Sequence, residues 1–317
     1  MKLVFMGTPD FAVPTLKKLI SSRHNVVLVV TGPDKPRGRG RKLRPTPVKV
    51  AALEAGVPVF QPEKLREPAV VEHLRSARAD LFVVVAFRIL PEAVIEIPPA
   101  GVVNLHASLL PKYRGAAPVQ WAILRGEKET GLTTFFIEKG VDTGDIILQR
   151  RVAIRPGETA GELHDRLAHL GADLVLETVD LIEAGRAPRI KQTGEPTRAP
   201  KITPEMGRIV WRRPAEEIER QIRAFSPVPG AFSYLNGRRV KLYRAKKAPV
   251  SLPPEPGKIY TENRKRLYVS AADGWLELLE LQEEGRKRLS AGEFLRGHAP
   301  EKLVRFAETA ENDERRH

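Results

Sequence analysis

The chain has 317 residues, a formal net charge of +14 and no cysteine. That length allows about two domains and a sizeable core, and the missing cysteines exclude a disulfide framework and thiolate catalysis. No apolar run reaches the length of a membrane span and no signal-peptide pattern opens the sequence, so a cytoplasmic protein with no membrane contact is expected, with a polyanion as partner.

Leu3-Val-Phe-Met6 reads as a first strand, and a helix starts near Asp10 with Phe11, Leu16, Leu19 and Ile20 on its apolar side. Val26–Val30 is a β-branched run, the pattern of a strand covered on both faces. A β-α-β start predicts a doubly wound, Rossmann-like α/β domain. Gly7 stands alone, without G-x-G-x-x-G, so the fold start does not imply a dinucleotide.

Residues 33–49 carry Lys35, Arg37, Arg39, Arg41, Lys42, Arg44 and Lys49 against a single acid, Asp34. Glycine and proline argue against regular structure through most of this stretch, so it is expected as a long surface loop. Such a loop is either solvated and idle or wraps a phosphate backbone by charge. It is not a P-loop, because G-x-x-x-x-G-K-[ST] does not occur.

Helices are predicted over 48–55 and 69–76, and strands over 57–60 and 81–86. The next strand, Gly101-Val-Val-Asn-Leu-His106, runs into a loop bounded by proline and glycine that ends at Pro118. Alternation puts Asn104 and His106 on one face. They are either polar residues emerging into water or a pair able to polarise a carbonyl and move a proton. If the strands are parallel, the pair lies at their carboxyl ends, where such sheets bind ligands.

A helix over 119–124 and strands over 131–138 and 146–154 follow, joined by a tight turn holding Asp142 between Gly140 and Gly144. Asp142 either bonds nearby backbone amides or orients a histidine. Thr159-Ala-Gly-Glu162 is a capping box opening a long helix with Leu163, Leu167, Leu170, Leu174 and Leu181 on one stripe. His164 and His169 lack ligand spacing, and no metal is expected.

Three regions are expected: a catalytic domain over 1–186, a Pro/Thr/Lys-rich linker over 187–207, and a basic β-barrel over 208–317. The last contains a helix from Pro214 to Phe225, strands over 231–235 and 238–245 joined at Asn236-Gly237, and strands near 266–270 and 275–281. Short strands in this number suggest a small barrel, with an OB type as one candidate. Arg238, Arg239, Lys241, Arg244, Lys246 and Lys247 leave one strand without an acid, which points to nucleic acid or to a solvated rim.

Gly7-Thr-Pro-Asp-Phe11, Gly38-Arg-Gly40, Asn104-Leu-His106, Ser108-Leu-Leu-Pro111 with Arg114-Gly115, Gly131 through Asp142-Thr-Gly144, and Phe225-Ser-Pro-Val-Pro-Gly-Ala-Phe232 together resemble the folate-dependent formyltransferases. The basic loop and the second domain narrow the resemblance to the methionyl-tRNA formyltransferases. It implies transfer of formyl from 10-formyltetrahydrofolate to the α-amino group of initiator Met-tRNA, without a metal, by a protein expected to be monomeric. Asn104, His106 and Asp142 would be catalytic. Ser108, Leu109, Leu110 and Pro111, with Arg88, Ile89 and Leu90, would hold the folate. Arg37, Arg39, Arg41 and Lys42 would grip the acceptor end of the tRNA, and Arg238, Arg239, Lys241, Lys246 and Lys247 its body.

The resemblance has two departures. Phe87-Arg88 leads straight into Ile89-Leu-Pro91 where the family usually has Tyr-Gly, one residue shorter, and Ala107 stands where glycine is common. A formyl-folate hydrolase or a sugar-amine formyltransferase would share the Asn/His/Asp set, but neither calls for the basic loop. A nonenzymatic RNA-binding protein would explain the charge but not that set.

Overall fold

The computed structural model describes residues 1–37, 42–299 and 302–310, with Arg37 and Lys42 described by their backbone alone. Contacts divide them into two units. One comprises Met1–Pro118, Glu129–Ala153 and His164–Ala199; the other comprises Val119–Lys128, Ile154–Leu163 and the described part of 200–317.

The first unit is built on a seven-stranded sheet. In chain order its elements are β1 (Lys2–Gly7), α1 (Val13–Ile20), β2 (Asn25–Val30), the ribbon strands β3 (Lys35–Arg37) and β4 (Lys42–Arg44), α2 (Pro47–Glu54), β5 (Val59–Phe60), α3 (Pro68–Ser76), β6 (Leu81–Val85), α4 (Glu92–Ile95) and β7 (Val102–His106). Then come α5 (Pro118–Leu124), most of which lies in the second unit, β8 (Glu129–Phe136), β9 (Ile146–Ala153) and α6 (Ala160–Glu183). The sheet order is β5-β2-β1-β6-β7-β8-β9, parallel through β7 and antiparallel at β8 and β9.

The order follows from composition. Leu3 to Met6 of β1 and all of β6 are buried, as continuous apolar runs must be in strands covered on both faces. The chain winds outward from β1 through β2 to β5, then returns to start β6 on the other side of β1. This reversal opens a crevice at the carboxyl ends of β1 and β6, the place where open α/β sheets bind ligands. Gly7 permits the close approach there: a Cβ would lie 2.7 Å from Ala12 Cβ and 3.0 Å from the Val85 carbonyl oxygen. β7 lies next to β6, with Asn104 in register with Val84 and Phe135.

The basic stretch differs from the expected loop. β3 and β4 form an antiparallel ribbon with Lys35 opposite Arg44, Pro36 opposite Leu43 and Arg37 opposite Lys42. Proline is tolerated because a two-stranded ribbon has two free edges, where a missing N–H costs nothing. The ribbon's base is tied down: Lys49 Nζ and Gln61 Nε2 donate to the two Asp34 carboxylate oxygens at 2.6 and 2.7 Å. Residues 187–199 are also held. Ile190 bridges Ile146, and Arg198 bridges Arg114.

In the second unit α7 (Ala215–Phe225) buries Ile218, Ile222 and Phe225, side chains worth about 1.5–3 kcal/mol each when fully buried. Its first N–H is capped from a distance by Asp273 Oδ1 at 2.7 Å. The strands are β10 (Ala231–Leu235), β11 (Arg238–Ala248), β12 (Ile259–Glu262), β13 (Arg266–Ser270), β14 (Trp275–Glu283) and β15 (Leu289–Ser290), followed by α8 (Ala291–Arg296). Asn236 and Gly237 both have positive φ, the two-residue hairpin turn that an Asn-Gly pair predicts. The sheet order is β10-β11-β14-β13-β12, with β15 on β14. The chain near its end closes it: Ala307 exchanges both backbone hydrogen bonds with Tyr234 of β10, and Val304 and Phe306 pair with Ile259 and Gly257 beside β12. The result is an OB-like antiparallel barrel after a Rossmann-like sheet, the expected fold class.

Candidate active site

The end of β7 carries the polar pair. Asn104 is half-buried, and among the described residues its carboxamide has no hydrogen-bond partner. A buried amide normally finds a partner, so an open one at a sheet's carboxyl edge is available to a ligand oxygen. His106 is only 6% exposed. Its Nε2 lies 2.8 Å from the Tyr113 carbonyl oxygen. A carbonyl only accepts, so Nε2 carries the hydrogen and Nδ1 is the ring atom left to gain or lose a proton.

Nδ1 faces Asp142, whose Oδ2 is 3.7 Å away. Asp142 is 36 positions further along the chain, and the turn between β8 and β9 brings it back. Asp142 adopts φ +54°, a left-handed conformation that Asp tolerates better than most residues. At Gly144 a Cβ would stand 1.7 Å from the Phe136 carbonyl oxygen, so only glycine lets the turn fold over the end of β8. The same Oδ2 accepts the Gly115 N–H at 2.8 Å. The structure therefore assembles the Asn104, His106 and Asp142 expected from sequence.

The loop after His106 is held from within. Ser108 is fully buried and donates its hydroxyl to the Lys112 carbonyl at 2.6 Å. Thr133 donates to the Ser108 carbonyl and accepts the Leu110 N–H, while Gln149 donates to the Leu110 carbonyl. Ser108 and Leu110 thus shape the loop, and Leu109 packs over Gly131, where a Cβ would meet its Cδ2 at 2.4 Å. Beyond β6, Ala86 turns the chain with φ +48°. Arg88 donates to the carbonyls of Pro62 and Glu63, and burial lowers its pKa. Ile89 is 80% exposed and Leu90 is buried in the core.

The basic residues divide into groups. Arg39 and Arg41 lie outside the described residues, and Arg37 and Lys42 occupy opposed register positions on the ribbon. On β11, Arg238 is exposed, Arg239 stacks 3.7 Å from the Phe232 ring centroid, and Lys241 donates to the Pro229 carbonyl at 2.7 Å. Lys241's pKa is lowered, first by burial and then by Arg239. Lys246 and Lys247 make ion pairs of 3.2 Å with Glu277 and Glu216. Both lysines are exposed, and the Lys247–Glu216 pair, open on both sides, is worth about 0–1 kcal/mol.

Three contacts at the site carry no signal in the sequence: the Tyr113 carbonyl, the Gly115 N–H and the Gln192 side chain, whose amide donates to the Asp142 carbonyl at 2.9 Å. The first two are backbone groups, and Gln192 sits in a stretch without periodicity. Among the described residues one other cluster, His24, Asp180 and Glu183, has metal-like spacing. Its carboxylates already pair with Arg23 and the terminal ammonium, each at 2.8 Å.

An open carboxamide, a histidine with one committed nitrogen and a carboxylate form a set able to polarise a carbonyl and move a proton, and the sequence places the chain in a class that works on such a group, the formyl transferases. The chain matches the family described as "Formyl transferase" over residues 1–179, and "Formyl transferase, C-terminal domain" over 201–299. It is 48% identical over 309 residues to the methionyl-tRNA formyltransferase of Pelotomaculum thermopropionicum, covering 96% of this chain and 98% of that one. The enzyme of the same name from Geobacter sulfurreducens is 47% identical, with 97% of each chain covered. The chain belongs to the methionyl-tRNA formyltransferase family. Its fold is similar to that of about half of HypX from Aquifex aeolicus, solved in complex with tetrahydrofolic acid, with TM-score 0.64 and 18% identity, covering 93% of this chain and 47% of HypX.

Proposed function

We propose that this chain transfers the formyl group of 10-formyltetrahydrofolate to the α-amino group of methionyl-initiator tRNA. The observation that carries the reading is the unpartnered Asn104 carboxamide beside a histidine whose free nitrogen faces a carboxylate. The folate supplies an activated formyl group when bound. Support for a folate comes from HypX, of like fold, which was solved in complex with tetrahydrofolic acid; here Ser108–Pro111 and Arg88–Leu90 would line its site, with Ile89 exposed to meet it.

Asn104 donates to the formyl oxygen as the amine adds to the formyl carbon and negative charge gathers on that oxygen. Removing one such donor typically costs ~10²–10³ in rate. His106 Nδ1 takes the proton released by the amine, and the Asp142 carboxylate stabilises the resulting imidazolium. The bond from carbon to the folate nitrogen then breaks, that nitrogen takes the proton held by the His106 imidazolium, and formyl-Met-tRNA leaves with the histidine neutral again. No covalent enzyme intermediate is needed, because the amine is itself the nucleophile.

The basic stretch 33–49, with Arg37, Arg39, Arg41 and Lys42, would hold the acceptor end, and Arg238, Arg239, Lys241, Lys246 and Lys247 on the barrel the tRNA body. Residues 1–186 would act as the catalytic domain and 208–317 as the tRNA-binding domain; of the expected linker 187–207, residues 187–199 belong with the first unit, which leaves only about 200–207 to connect the two. The protein would work as a monomer in the cytoplasm, where translation starts; a net charge of +14 discourages self-association. The test is formylation of charged initiator against elongator Met-tRNA with 10-formyltetrahydrofolate. Formyl-Met-tRNA from the initiator supports the reading, and formate release without it contradicts the reading.

A further inference from the structure

Gln192 lies in the stretch read from sequence as a linker, yet its side chain reaches the turn that carries Asp142. Nε2 donates to the Asp142 and Gly144 carbonyl oxygens, each at 2.9 Å. Oε1 accepts from Arg114, at 2.6 Å from Nη2 and 3.2 Å from Nε. The amide orientation is forced, because arginine only donates and carbonyls only accept.

Arg114 belongs to the loop that touches both other members of the site. The preceding residue, Tyr113, receives the His106 Nε2 hydrogen, and the following residue, Gly115, donates to the Asp142 carboxylate. This loop is in turn stitched to residues 197–199. Tyr113 N and Arg114 N bond Thr197, and the Ala199 N–H bonds the Arg114 carbonyl at 2.7 Å. Gly115 has φ +120°, and a Cβ there would stand 2.7 Å from the Ala199 carbonyl oxygen, so the two strands of chain pack too closely for any side chain.

We propose that Gln192, clamped by Arg114, is a positioning residue that fixes the Asp142 turn against the loop holding His106. The clamp sets the separation of the His106 and Asp142 groups and acts through them: the contacts of Gln192 are to Arg114 and to the carbonyls of Asp142 and Gly144. A left-handed aspartate in an exposed turn has alternatives of similar energy; two hydrogen bonds to its own and a neighbouring carbonyl remove them. The inference rests on reading His106 and Asp142 as the proton-handling pair.

The test measures formyl transfer by wild type, Gln192→Glu, Gln192→Leu, Arg114→Leu and the double variant Gln192→Leu/Arg114→Leu, across the pH range of activity. Gln192→Glu keeps an acceptor for Arg114 but cannot donate to the two carbonyls, so it serves if the leucine variants fail to fold. The expected result is a kcat lower by about tenfold or more, with KM for both substrates within about twofold and a displaced limb in the pH–kcat profile. The double variant is expected to be no slower than the slower single variant, because the two side chains act as one unit. A wild-type kcat and pH profile in Gln192→Glu, or single effects that multiply in the double variant, would overturn the proposal. His106→Ala is the control. If it retains turnover the pair itself is misread; if it is inactive while Gln192→Glu behaves as wild type, only the clamp is wrong.

Discussion

His106 points Nε2 at the Tyr113 carbonyl oxygen, 2.8 Å away, and that contact decides which ring nitrogen does the chemistry. With Nε2–H committed, Nδ1 is the base, and Asp142 sits on its side at 3.7 Å. His106→Ala should lower kcat by ~10²–10⁴, the usual contribution of a positioned acid-base group. Asp142→Asn keeps an oxygen for the Gly115 N–H but removes the charge beside Nδ1. It should lower kcat about 10²-fold with little change in KM or melting temperature. Steady-state kinetics with both substrates check this, and an Asp142→Asn enzyme of wild-type kcat would refute the pairing.

Asp34 anchors the ribbon by an acid-sensitive contact. The hydrogen bond from Lys49, then that from Gln61, holds its carboxyl below the usual carboxylate range. A group with a depressed folded pKa adds stability above its unfolded value, about 3.9, and that stability is lost as pH falls through the folded pKa. The anchor should therefore be constant through neutral pH and release only in acid, below about pH 4. Proteolysis between Lys35 and Arg44 should accelerate only there, and Asp34→Asn should raise the neutral rate and flatten the curve. Equal cleavage of wild type and Asp34→Asn at neutral pH would count against the anchor.

Ala86 holds φ +48° where the chain leaves β6, a conformation that costs a Cβ-bearing residue about 1–2 kcal/mol. Ala86→Gly should raise stability by roughly 0.5–1 kcal/mol after glycine's own entropy cost. A denaturant melt measures it, and a destabilised variant would show that the turn owes its shape to the alanine side chain.

Much of the fold was legible because its signals are local. The strands over 231–235 and 266–270 fall where alternation places them, and the hairpin at Asn236-Gly237 follows from two residues that accept positive φ. Asn104 and His106 were legible from period two and an apolar strand. The ribbon was not, because its proline and glycine content argued for a loop and only cross-strand pairing decided otherwise. The approach of Asp142 to His106 depends on the path of two strands, and the Tyr113 and Gly115 contacts are backbone atoms that no residue type announces. The segment 304–307 closes the barrel through isolated bridges, too short to show a period.

Lys35 and Arg44 face each other across the ribbon, a like-charged pair that is unfavourable until a polyanion lies on it. Lys35→Ala together with Arg44→Ala should weaken tRNA binding and reduce the slope of log affinity against log salt by about two. Titration of tRNA at several salt concentrations gives the slope. An unchanged slope would mean that the ribbon does not meet phosphate.

The most direct test of the central claim is a single-turnover measurement on Asn104→Ala with 10-formyltetrahydrofolate and charged initiator tRNA. The Asn104 side chain makes no hydrogen bond to the described residues, so its loss should leave the fold and tRNA binding intact while slowing formyl transfer ~10²–10³-fold. Transfer at the wild-type rate by the variant would contradict an oxyanion role for the residue at the centre of the site.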